Sequence, residues 1–147
     1  MTKNLDRTLE EVARACFCLQ SRMTARAVTR RYNAVLAPLG LEVTEFSLLG
    51  VLAYGRATSI AEIAERLAFE RTTLVRNLKR MAERGLIAPA DARGRAVRYV
   101  LTKDGDAALK RAIPLWRKAQ KEVERRLAAH DAAAVLASLA NLRGAAR

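Results

Sequence analysis

One histidine, His130, and two cysteines, Cys16 and Cys18, are all the imidazole and thiol groups in this 147-residue chain. His130 stands beside Asp131 at a helix junction, where a cap or an exposed turn accounts for it. No His- or Cys-rich metal spacing, phosphate-cradling glycine loop or nucleophile elbow occurs. The carboxylates mostly alternate with cations, as on solvated helix faces. Neither an enzyme nor a metal or cofactor site is expected. Two cysteines cannot build a secreted disulfide framework. No apolar run approaches the ~18 residues of a membrane span, and residues 1–6 hold no signal-like apolar segment. The expected location is the cytoplasm. Acidic residues are also scarce, 15 against 27 Lys and Arg, for a net charge of +12 and a pI near 10.8. Such a balance favours an anionic partner, nucleic acid or a membrane surface.

What is present suits one helical domain with a real core: 51 % of residues are hydrophobic, with alanine and leucine abundant. The centre of the chain, residues 59–99, reads as helix, tight turn, helix and two-stranded hairpin. Ser59 and Glu62 form a capping box, and Ile60, Ile63, Ala64 and Leu67 follow in helical rhythm. A second helix begins after Glu70, carries Leu74, Leu78 and Met81 on one side, and ends at Gly85 as a C′ glycine. Thr72, Arg76, Lys79 and Glu83 lie opposite, flanked by Thr73 and Arg80. From residue 71 to 98 there are eight cations and two acids, so half of the net charge sits in about a fifth of the chain. One face packs and the other presents threonines and cations, the chemistry of a helix laid in the DNA major groove.

After Gly85 the period changes. Leu86-Ile87-Ala88 and Val97-Arg98-Tyr99-Val100-Leu101 read as strands, with Pro89 at an edge. On either side lie long helical patterns. Residues 6–37 form one helix with a heptad-like stripe (Leu9, Val12, Cys16, Leu19, Met23), ended by Pro38 and Gly40. Thr44 caps a short, almost wholly apolar helix that must be buried. Thr102 caps a long helix that Pro114 should kink, and Asp131 caps the last, with Val135, Leu136, Leu139 and Leu142 on one side. These terminal stripes need a partner. A second copy is the economical one; an intramolecular bundle is the alternative. The fold expected is mainly α with a small β-wing: an N-terminal dimerisation helix (1–37), a winged helix-turn-helix (41–102) and C-terminal dimerisation helices (103–147).

In order and spacing the chain resembles the MarR-type winged-helix repressors. The matching residues are Gly40-Leu41-Glu42-Val43-Thr44-Glu45-Phe46, Ile60-Ala61-Glu62-Ile63-Ala64-Glu65-Arg66-Leu67, Arg71-Thr72-Thr73-Leu74-Val75-Arg76-Asn77-Leu78, Glu83-Arg84-Gly85-Leu86-Ile87 and Leu101-Thr102-Lys103-Asp104-Gly105. The resemblance implies an obligate homodimer on a pseudo-palindromic DNA operator, released by a small aromatic or phenolic ligand or by cysteine oxidation. Carried over, Arg71, Thr72, Thr73 and Arg76 face bases and phosphates, and Arg93 and Arg95 fall at the wing tip. Physically, Arg76 suits a bidentate guanine contact, Lys79 and Arg80 suit phosphates, and the threonines serve DNA or cap their own helix. Two departures stand out: Glu70 replaces the Asp or Ser that relatives place there, and the wing is one residue shorter.

An effector pocket between the long helices and the winged domain would draw on Phe17, Arg22, Tyr32, Phe46 and Trp116, residues that simple packing also explains. Cys18 matches the reactive cysteine of the hydroperoxide-sensing branch, and Tyr32 one of its tyrosine partners. On a continuous helix Cys16 and Cys18 point about 200° apart, which defeats a disulfide between them. The readings from other classes are an oxidant sensor built on Cys18 and a membrane-surface or scaffold protein using Arg22, Arg26, Arg30 and Arg31.

Overall fold

A computed structural model describes residues 2–55, 59–90, 97–127 and 130–146, with side chains from residue 5 onward. The order is α1 (Thr2–Ala15), α2 (Phe17–Leu36), a 3-10 turn (Ala37–Leu39), α3 (Val43–Tyr54), α4 (Ile60–Leu67), α5 (Arg71–Glu83), β1 (Ile87–Pro89), β2 (Tyr99–Leu101), α6 (Lys103–Leu127) and α7 (Ala132–Ala145). This is the mainly helical winged fold expected. Its core gathers Leu36, Leu48, Leu49, Ile63, Leu74, Leu78 and Met81, all without exposed surface, with Leu109 and Ala112 from α6.

The local capping signals hold. Ser59 Oγ accepts the Glu62 N–H at 3.3 Å, and Glu62 Oε2 accepts the Ser59 N–H at 3.1 Å. Thr102 Oγ1 accepts the Gly105 N–H at 3.0 Å, and Asp131 Oδ1 the Ala133 N–H at 2.9 Å. Gly85 closes α5 at φ +70°, a conformation that costs glycine nothing. In the wing the strands are antiparallel, with Ile87 opposite Leu101 and Pro89 opposite Tyr99. Ser59 adds a bridge to Arg98, so the start of α4 is pinned to the wing, a contact absent from the hairpin reading.

Three expectations are corrected. The first long helix is two, because Cys16 takes an extended ψ of 109°. No proline or glycine marks the break; Gln20 Nε2 donates to Ala13 O at 2.6 Å and takes the place of a helical N–H. Periodicity locates an apolar face and is blind to a change of axis. Secondly, α3 begins at Val43, and Thr44 is inside it. Its N-cap is Glu42, whose N–H donates to Glu45 Oε2 at 3.1 Å, while Asn33 of α2 accepts the Val43 N–H at 2.7 Å. Thirdly, α3 is not apolar at every buried position, since Glu45 is buried with Leu48, Leu49 and Leu52. α6 runs through Pro114 as one helix, the ring removing one backbone donor.

The terminal helices find little cover within the chain. No described side chain of α1 or α7 is buried, and Leu5, Leu9, Val12, Leu136 and Leu139 stay exposed. An intramolecular bundle would have covered them.

Candidate nucleic-acid interface

The turn between α4 and α5 sets the angle of the second helix. Ala68 ends α4 at φ +54°, and its N–H and that of Phe69 return to Glu65 O and Ala64 O. This is a left-handed helix end made without glycine. Glu70 then leads into α5 with extended backbone and no side-chain cap, as expected for a poor N-cap residue.

Along α5 the two faces separate cleanly. Leu74, Leu78 and Met81 have no exposed surface and Asn77 is buried beside them, while Arg71, Thr72, Arg76, Lys79 and Arg80 are exposed and Thr73 is half-buried. Among the described residues Arg71 and Arg76 form no ion pair. Lys79 lies 3.9 Å from Glu83, a loose and solvated pairing. Arg80 is placed differently from its neighbours: its guanidinium stands 3.5 Å from Glu42 and 3.6 Å from Glu45 of α3. Arg93 and Arg95 lie outside the described residues. Pattern reading missed Val75, which is 44 % exposed on the polar side of α5; an apolar group there suits a thymine methyl. It also missed Glu45 and Arg84, although the Glu42-x-x-Glu45 spacing is itself a capping signal.

The effector candidates divide. Phe46 of α3 stacks on Trp116 of α6, with centroids 6.1 Å apart and planes at 21°. Tyr32 Oη donates to Gln120 Oε1 at 2.5 Å, one turn along α6 from Trp116, and Gln120 Nε2 donates to Glu124 at 2.9 Å. Arg22 is exposed, ten residues and about 15 Å up α2 from Tyr32. Phe17, 73 % exposed, lines a separate apolar groove with Val135, Leu139 and Leu142 of α7. Cys16 is half-buried and Cys18 exposed.

Burial, and then the Glu124 carboxylate, push the Tyr32 phenol above its ordinary 10.0. Below about pH 10 the phenol is neutral in folded and unfolded chains alike. Above that the unfolded chain ionises first, so this contribution to stability is lost as pH rises through the folded-state pKa. Tyr32→Phe should therefore lose less stability than the parent between about pH 9 and about pH 11, as read by urea titration at each pH.

Residues 39–96 match the sequence model of the MarR family. The chain is 34 % identical over 99 residues to the HTH-type transcriptional repressor Rv2887 of Mycobacterium tuberculosis, covering 66 % of this chain and 71 % of that one. Its fold is similar to the crystal structure of the M. tuberculosis transcriptional regulator MosR, at a TM-score of 0.82 and 38 % identity over 91 % of this chain and 97 % of that one. MosR has also been solved in complex with DNA. The transcriptional repressor CouR bound to p-coumaroyl-CoA is similar at a TM-score of 0.81 and 25 % identity, over 90 % and 94 % of the two chains.

Proposed function

The chain belongs to the MarR family of winged helix-turn-helix transcriptional regulators, and from that premise we propose that it is a cytoplasmic repressor acting as a homodimer on a pseudo-palindromic operator. The observation that carries the reading is the division of α5: its apolar side is wholly buried while Arg71, Thr72, Arg76 and Lys79 stand exposed. Arg76 reads a guanine; Val75, Thr72 and Thr73 touch base edges or phosphate; Arg71 and Lys79 neutralise phosphates. Arg93 and Arg95 belong to the wing and reach the neighbouring groove. The uncovered stripes of α1 and α7 meet those of a second copy, which sets two recognition helices about one DNA turn apart. In this scheme residues 1–37 and 103–147 supply the dimer and 41–102 the DNA contacts.

A small aromatic or phenolic effector enters near Tyr32, Phe46 and Trp116, where α2, α3 and α6 meet. By favouring one separation of the two recognition helices it lowers DNA affinity through differential binding to the two states. Phe17 and Arg22 serve such a ligand only if a second copy brings them to it.

The deciding experiment measures binding to the DNA upstream of the chain's own gene against a scrambled duplex, across a salt series. Binding at least ~10³ tighter to the native duplex supports the reading. Equal affinities that fall steeply with salt leave only phosphate contacts and count against sequence-specific repression at that site.

A second reading, release by oxidation, rests on the exposed thiol of Cys18. Cys18 lies in the first turn of α2, where a peroxide can reach its thiol. A hydroperoxide would oxidise the Cys18 thiol to a sulfenic acid, releasing an alcohol. Cys18→Ser should leave DNA binding intact and abolish peroxide-driven release in a gel-shift assay. Unchanged release in that variant ends the reading.

A further inference from the structure

Glu45 is the one charged side chain among the described residues that is withdrawn from solvent, at 1 % exposure. A carboxylate is costly to bury unless opposite charge and hydrogen bonds meet it. Its Oε2 accepts the Glu42 N–H at 3.1 Å in the first turn of α3. Its Oε1 accepts from Arg84 Nη1 at 2.8 Å and stands 3.6 Å from Arg80 Nη2. Arg80 also lies 3.5 Å from Glu42, and Arg84 Nη2 donates to Gly40 O at 2.7 Å. Two arginines one turn apart at the end of α5 thus close on two carboxylates at the start of α3, and the four charges balance.

Leu74, Leu78 and Met81 set how deeply α5 sits, but apolar contact has no direction. The Arg84 guanidinium does, because its N–H groups point at Glu45 Oε1 and Gly40 O, and Arg80 adds its charge to the same carboxylates at 3.5 and 3.6 Å. We propose that Glu45 is the positioning residue of the recognition helix, and that Arg80 serves this anchor rather than a DNA phosphate. The inference rests on the DNA-binding reading above and changes one part of it: the phosphate-facing cations of α5 are those without a carboxylate partner on α3. Removing the Glu45 charge leaves Arg80 with Glu42 alone and Arg84 with the Gly40 carbonyl alone, and so loosens the helix that reads bases. Sequence discrimination falls while general attraction to DNA does not.

The test measures affinity for operator and scrambled duplexes over a salt series for the parent, Arg80→Ala and the isosteric Glu45→Gln. Each phosphate contact contributes about 0.9 to the slope of log affinity against log salt. Arg80→Ala should leave the slope unchanged. Glu45→Gln should lower the operator-to-scrambled ratio about tenfold, the size of one misread base pair, with scrambled affinity retained. A slope flattened by about 0.9 per protomer in Arg80→Ala overturns the inference, and so does an unchanged ratio in Glu45→Gln. Absence of salt-dependent affinity for any duplex would sink the DNA reading instead. The anchor is then judged without DNA, from thermal unfolding of Glu45→Gln, Arg84→Ala and the double variant. A double variant no less stable than the weaker single supports it; additive losses overturn it.

Discussion

Arg76→Ala should weaken operator binding by about 30-fold to about 10⁴-fold while leaving the melting temperature unchanged. A bidentate arginine–guanine pair contributes about 1–3 kcal/mol of discrimination, and a two-fold dimer makes the contact twice, for about 2–6 kcal/mol in all. Stability is spared because the side chain is exposed and has no ion-pair partner among the described residues, and such surface changes stay within about 0.5 kcal/mol. Arg76→Lys should recover little, since an ammonium lacks the planar fork that matches a guanine edge. Anisotropy titrations on operator and scrambled duplexes decide the matter. A loss of the same size on both would make Arg76 a phosphate contact.

Gly105→Ala should have the largest effect on stability, a loss of about 3 kcal/mol and a fall of roughly 10 °C in melting temperature. A Cβ at residue 105 would lie 1.9 Å from Leu86 O and 2.9 Å from Leu86 C. The obstacle is backbone, so no rotamer change relieves it. Leu86 O also accepts the Thr102 N–H at 3.2 Å, and Thr102 Oγ1 donates to Gly85 O at 2.6 Å. These bonds lock the start of α6 onto the turn between α5 and β1, so the added methyl must pry apart the joint that carries the wing. Gly50→Ala, in the middle of α3 with nothing within 4 Å of its Cβ position, is the control and should gain up to about 1 kcal/mol in helix propensity. Thermal denaturation of the pair separates a clash from a general intolerance of alanine.

Sequence reading succeeded where the cause was local. The Ser59–Glu62 box, the Thr102 and Asp131 caps and the Gly85 helix end each involve residues within a few positions of one another. Spacing alone therefore discloses them. The apolar side of α5 was legible for the same reason. At Cys16 the backbone turns extended with no proline or glycine to mark it, and Gln20 bonds the Ala13 carbonyl left open there, a break that an apolar stripe does not reveal. The start of α3 is capped by Glu42 and Glu45 rather than by Thr44, because glutamate is an unusual residue at an N-cap, and Asn33 from α2 meets the Val43 N–H as well.

Local pattern in the chain discloses most of the helical segments, their apolar faces and the positive charge of the central motif, though not the break at Cys16. Which of those charges stand free depends on how the helices pack. By pattern both Arg76 and Arg80 are open to DNA, yet Arg76 faces solvent while Arg80 meets Glu42 and Glu45 at the start of α3. Arg84 reaches across 39 residues to the same carboxylate. Likewise Phe46 and Trp116 meet only once α3 and α6 have packed. Periodicity is set by bonds a turn apart and is written in the chain. Pairing of distant side chains depends on where whole helices come to rest, and the buried core decides that.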